Sequence, residues 1–167
     1  MKKSAVTFIM ALMAFSISSL AGSPGKNESG SRTWTATSEY KTIAISNDIN
    51  VVLVQNASNT ITIEGEKEAL DLVKLEVSKG VLRISSKKPV KDRVLVSVPV
   101  QHLQKLIVSG ASQIFSMGII KTEHLNLRIE GACKVNIRTT GTINVENDDQ
   151  HDYEVVRSRS VQIIREK

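Results

Sequence analysis

The amino-acid sequence predicts an all-β domain: a small parallel β-solenoid, or β-helix-like stack, with a hairpin-rich N-terminal portion and one short helix. Three observations carry this reading. Apolar and polar residues alternate at period two in almost every apolar segment after Trp34, the mark of a half-buried strand, because successive strand side chains point to opposite faces. β-Branched residues dominate those segments, and their stiff χ1 suits a pleated surface. A stretch beginning at Leu106 then recurs 21 positions later (131 − 110 = 21) with its apolar slots kept.

The chain opens with Met1-Lys2-Lys3, an apolar run from Ala5 to Leu20, and Ser19-Leu20-Ala21. A positive start, an apolar middle and a small-x-small end make residues 1–21 a secretory signal peptide cut near Ala21. Ser16, Ser18 and Ser19 dilute the run below the roughly 20 apolar residues of a spanning helix, which argues against an uncleaved anchor. No second apolar run of spanning length follows, so no transmembrane segment is expected after cleavage. Residues 22–33, rich in Gly, Ser, Asn and Lys, are expected as a flexible leader. Residues 34–167 are expected to form a single domain. Lys+Arg 22 against Asp+Glu 17 gives +5; without Lys2 and Lys3 the balance is 20 − 17 = +3. That is too small for a polybasic binder, so no nucleic-acid partner is expected. The single cysteine, Cys133, rules out an internal disulfide and is expected as a small buried residue.

Strands are expected at Ile43-Ala44-Ile45, Ile49 to Val54, Ile61-Thr62-Ile63, Leu75-Glu76-Val77, Val81 to Ile84 and Val94 to Val100. Asn56-Ala57-Ser58-Asn59 is read as a hairpin connection and Lys79-Gly80 as a tighter one. Pro99 faces away from the valine series, a position suited to an edge or a bulge. Glu66 to Val73 is the one helical pattern, with Ala69, Leu70 and Val73 on a common face.

The repeat aligns Leu106-Ile107-Val108-Ser109-Gly110-Ala111-Ser112-Gln113-Ile114 with Leu127-Arg128-Ile129-Glu130-Gly131-Ala132-Cys133-Lys134-Val135. Coils of a parallel stack rise by one strand spacing, about 4.8 Å, so inward slots need matching apolar shapes while outward slots vary. Gly-Ala-Ser and Gly-Ala-Cys then form corners in which Gly supplies the freedom to turn. Thr142-Ile143-Asn144-Val145 and Val161 to Ile164 are candidate later rungs. A leucine-rich repeat fits less well, since His124 stands where Leu103 would recur.

Stacking at 21 places Glu123 over His102 and Glu130 over Ser109, and makes His124 a partly buried structural histidine. No stacked carboxylate pair arises, whereas glycoside hydrolysis needs two carboxyl groups about 5 to 9.5 Å apart. Glu146 to Asp152 is acidic but lacks the spacing of a calcium loop and is expected as a solvated turn. Lys87, Lys88, Lys91 and Arg93 form one basic cluster; Arg157, Arg159, Arg165 and Lys167 form another. Such charges attract anionic ligands or protect a strand edge. No catalytic residue, metal ligand or cofactor is predicted, and no binding residue is assigned.

The strand pattern Ile45-Ser46-Asn47-Asp48-Ile49-Asn50-Val51-Val52-Leu53-Val54-Gln55, then Ile61-Thr62-Ile63-Glu64-Gly65, Gly80-Val81-Leu82-Arg83-Ile84 and Leu106-Ile107-Val108-Ser109-Gly110-Ala111-Ser112 resembles the head GIN domain family of putative auto-transporter adhesins. The resemblance covers roughly Tyr40 to Val145. It implies a right-handed β-solenoid-like fold in an exported bacterial protein with no established biochemical activity. The function expected is a non-catalytic, extracytoplasmic interaction or adhesion module, periplasmic, surface-bound or secreted. Its partner would be a protein or glycan at the cell envelope. A carbohydrate-active β-solenoid enzyme and a purely structural envelope protein are the alternatives, and exposed rungs at an uncapped end allow self-association.

Overall fold

The computed structural model describes residues 28–147 and the short strands Glu154–Val156 and Ile163–Ile164. Residues 1–21, expected as a signal peptide, and the basic cluster at the C-terminus lie outside the described residues, as does most of the acidic stretch. In chain order the elements are β1 (Ser29–Thr35), β2 (Thr42–Ile45), β3 (Asn50–Gln55), β4 (Thr60–Glu66), α1 (Lys67–Leu70), β5 (Val73–Ser78), β6 (Val81–Ser86) and β7 (Val94–Val100). There follow β8 (Lys105–Ser109), β9 (Gln113–Ile120), β10 (His124–Glu130), β11 (Lys134–Thr139), β12 (Thr142–Asn147), β13 (Glu154–Val156) and β14 (Ile163–Ile164).

Two mixed seven-stranded sheets result, ordered β1-β4-β7-β3-β9-β11-β13 and β14-β12-β10-β8-β2-β6-β5. From β7 onward successive strands alternate between the sheets, and every pairing among β8 to β14 is parallel. Antiparallel pairs gather at one end, where β1 meets β4, β4 meets β7 and β5 meets β6. The expected all-β class therefore holds, but the sheets are mixed and open rather than uniformly parallel.

The 21-residue register is present in both sheets. Leu127 pairs with Leu106 and Ile129 with Val108, and Val135 pairs with Ile114. All six are buried, and each large aliphatic side chain taken out of water contributes on the order of 1.5–3 kcal/mol. Gly110 and Gly131 stack so closely that a methyl group on Gly131 would lie 2.6 Å from the Gly110 nitrogen. The next coil is shorter, since Leu125 pairs with Ile143 (143 − 125 = 18).

A further copy of the corner lies earlier in the chain. Ile43 pairs with Leu106, Ile45 with Val108 and Val51 with Ile114, an offset of 63, or three periods of 21. Asn47 then holds the Gly110 position, and both are left-handed, with φ of 66° and 94°. Asn tolerates that conformation better than most non-glycine residues. The Asp48 carboxylate accepts from the Ala111 N–H at 2.6 Å and the Ser112 hydroxyl accepts from the Ile49 N–H at 3.0 Å, so each corner binds the next.

Several expectations need correction. β-Structure begins at Ser29, inside the segment assigned to a flexible leader, because β1 pairs along its length with β4. β3 and β4 do not form a hairpin: β7 inserts between them, parallel to β3 and antiparallel to β4. The helix is the single turn Lys67–Leu70, which buries Ala69 and Leu70; Val73 already belongs to β5. Pro99 sits on an interior strand, opposite Val54 of β3 and past Ser97, where the pairing of β7 with β4 ends. Its missing N–H therefore removes no ladder bond to β4. The Lys79-Gly80 hairpin forms as expected between β5 and β6.

Candidate functional site

The turns that carry the chain from one sheet to the other stack on the side opposite the Gly-Ala corners. Their contacts are mostly backbone and threonine hydroxyls. Thr122 N–H donates to Thr140 Oγ1 at 3.2 Å, and that hydroxyl donates to Thr122 O at 3.0 Å. The Thr122 hydroxyl reaches Leu103 O at 2.8 Å, while Thr142 N–H donates to Glu123 O at 2.9 Å and Asn126 N–H to Gln104 O at 2.9 Å. Gly141 is required here, since a methyl group would fall 2.0 Å from Glu123 O.

These turns frame a surface groove of about 550 Å³, lined by His102, Gln104, Lys121, Thr122, Glu123, His124, Asn126 and Thr140. Most of these side chains are exposed. The lining offers amide, hydroxyl and imidazole groups, one cation and, in Glu123, one carboxylate, a set able to donate and accept hydrogen bonds with a hydroxyl-rich ligand. His102 also borders a smaller recess with Tyr40, Asn56 and Pro99. There the Tyr40 hydroxyl donates to Pro99 O, and desolvation by burial pushes its pKa up to about 12.

His102 and Glu123, expected to stack, line the same groove, and Ser109 Oγ donates to Glu130 Oε2 at 2.8 Å as their stacking requires. His124 departs from expectation. It is exposed, with Nδ1 2.8 Å from Thr142 Oγ1, because Leu103 turns into the core from a loop rather than from a strand slot. Gln104, Lys121, Asn126 and Thr140 carry no motif that marks them in the sequence, and the 18-residue step between Thr122 and Thr140 departs from the 21-residue period. Cys133 is buried, as expected, and desolvation by burial raises its pKa against an opposing backbone hydrogen bond.

The basic cluster near residue 90 divides. Lys87 and Lys88 line a second groove of about 350 Å³ beside Ser46, Asp48 and Ser109, whereas Arg93 Nε pairs with Glu66 Oε2 at 2.5 Å. Glu146 is exposed, and the rest of its acidic stretch after Asn147 lies outside the described residues.

Two open, mixed β-sheets joined by stacked small-residue corners, with a polar groove along the opposite turns, define an all-β domain. A family model described as "Putative auto-transporter adhesin, head GIN domain" matches residues 39–162, and the chain belongs to that family. No curated protein matches it. Among solved structures, a putative adhesin from Parabacteroides distasonis is similar with a TM-score of 0.50 at 14% identity, over 84% of this chain and 77% of that one. A putative lipid binding protein from the same species has a TM-score of 0.50 at 15% identity, over 84% and 68%. A putative adhesin from Parabacteroides merdae has 0.49 at 11%, over 84% and 98%. At such identities the likeness concerns the fold. No helix among the described residues is long and apolar enough to cross a membrane.

Proposed function

We propose that this domain is an exported, non-catalytic adhesion module that holds a hydroxyl-rich glycan of the cell envelope in the groove between His102 and Thr140. The observation that carries the reading is the lining itself: amide, hydroxyl and imidazole groups with a single cation and a single carboxylate, presented by hydrogen-bonded stacked turns in a member of an adhesin family. Preorganised polar groups on a fixed frame bind at lower ordering cost than a mobile loop. Glu123 is the one carboxylate among the lining residues, and a hydrolytic mechanism calls for two. On this reading residues 1–21 direct export, and the chain winds as a small right-handed solenoid, the hand that crossovers between parallel strands adopt in nearly all proteins.

The test uses the chain from Gly22 onward, which keeps every described residue. Glycan-array and whole-cell binding are compared with a Gln104→Ala/Asn126→Ala variant. Both side chains are exposed, so folding is preserved, and binding is expected to fall about tenfold or more, as loss of two hydrogen bonds of about 1 kcal/mol each implies. Equal binding by the variant, or capture of a protein partner with no glycan bound, would overturn the assignment.

A further inference from the structure

The outer face of the first sheet carries an apolar ridge that the groove does not use. On β9, Phe115, Met117 and Ile119 are 38%, 67% and 55% exposed. They alternate with the inward Ile114 and Ile120, so they share one face of the sheet. β9 gains two residues over β11 between Asn136 and Arg138. The Ser116 hydroxyl holds this bulge, donating to Gly118 O and accepting from Arg138 N–H, both at 3.0 Å. Gly118 is left-handed, with φ 93°, and has open space around it. A bulge re-aims side chains away from the sheet plane, and here it lifts Met117, the most exposed of the three.

Of the two strands that flank β9, β11 brings cations to this face, and neither β3 nor β11 brings a carboxylate. The sequences of β3, β9 and β11 contain no Asp or Glu. Arg138 pairs in register with Ile119, and the exposed Lys121 directly follows the end of β9. Lys134 stands at the other end of β11, with Glu154 of β13 opposite it in register, which leaves Arg138 as the cation beside Ile119, with Lys121 two residues further along the chain, where it also borders the groove. Three side chains expose far less than the ~800 Å² per partner that a stable dimer buries. A short projecting ridge of Phe, Met and Ile flanked by cations matches instead the interface of a bilayer with anionic headgroups, where apolar tips enter the acyl boundary and cations meet phosphate.

We propose that the β9 ridge docks the domain onto an anionic phospholipid surface, with Phe115, Met117 and Ile119 inserted and Arg138 and Lys121 on the headgroups. The chain from Gly22 onward is sedimented with phosphatidylglycerol vesicles and, in parallel, with phosphatidylcholine vesicles. Binding is expected to the former, weakened by salt, and reduced about tenfold or more by Met117→Asp, whose exposed site leaves the melting temperature unchanged. Arg138→Glu is expected to weaken binding to phosphatidylglycerol vesicles severalfold. Absence of wild-type binding, equal binding to both vesicles, or an unaffected Met117→Asp variant would overturn the proposal. So would a concentration-dependent dimer that Met117→Asp abolishes, since that would assign the ridge to a second copy.

Discussion

Gly131 and Gly110 show how single residues set the approach of neighbouring coils. Gly131 needs its missing side chain because the Gly110 backbone occupies the space, with nitrogen at 2.6 Å and oxygen at 2.8 Å from an added methyl. Gly118 has the opposite situation: its φ is left-handed but nothing lies within 4 Å. The two glycines therefore separate steric from conformational cost. Gly131→Ala is expected to destabilise by about 2–3 kcal/mol, as backbone must shift to relieve overlap. Gly118→Ala is expected to lose about 1 kcal/mol from strain alone. Urea unfolding of both variants measures the difference, and equal losses would mean that coil approach at the corner is not sterically limited. Asn47 solves the same corner without glycine, using a residue that accepts φ 66° and donating from Nδ2 to Ser86 O at 2.8 Å.

At the scale of elements, the β5–β6 hairpin carries a local defect that a substitution should repair. Lys79 and Gly80 both have positive φ, 51° and 74°, the pattern of a type I′ turn, in which Asn-Gly is favoured. Lys79→Asn is expected to stabilise by about 0.5 kcal/mol, since Asn adopts that conformation with less strain; thermal melting checks it, and a lower melting temperature would show that Lys79 makes a compensating contact. This hairpin was legible in the sequence because its signal is local, as were strands such as Val94–Val100, whose buried valines alternate at period two. The pairing of β8 with β10 was legible through the repeat. The partners of β3 and β4 were not, since nothing in Asn56-Ala57-Ser58-Asn59 records that a strand 30 or more residues later slides between them. The corner at Asn47 has a faint sequence signal: an offset of 63 keeps Ser46 under Ser109 but replaces Gly by Asn, so the glycine that marks the other corners is missing. The groove was half legible, His102 and Glu123 by period, Thr140 concealed by the shorter coil.

Over the whole molecule, stability depends on how the stack ends, because each coil of such an arrangement buries its core only against its neighbours. The antiparallel pairs lie at one end of both sheets. β1 covers β4, where Ile61 and Ile63 are fully buried, and Trp34 packs on that core. Arg32 Nη2 donates to Val73 O at 2.8 Å, joining the edge of the first sheet to β5 in the second. Lys67 N–H donates to Glu28 O at 2.9 Å, fixing α1 where the chain crosses between sheets. Residues that read as a leader therefore form part of the cap. A chain starting at Ala36 loses Trp34, the ladder along β1 and the Arg32 tie, and is expected to be about 2–3 kcal/mol less stable, since the half-buried Trp34 contributes less than a core Trp. Trp34→Ala in the chain from Gly22 should account for most but not all of that deficit, the remainder being the ladder and the Arg32 tie. If the truncated chain unfolds at the same urea concentration as the longer one, β1 contributes nothing to the cap, and the exposed edge of β4 must be stable unprotected.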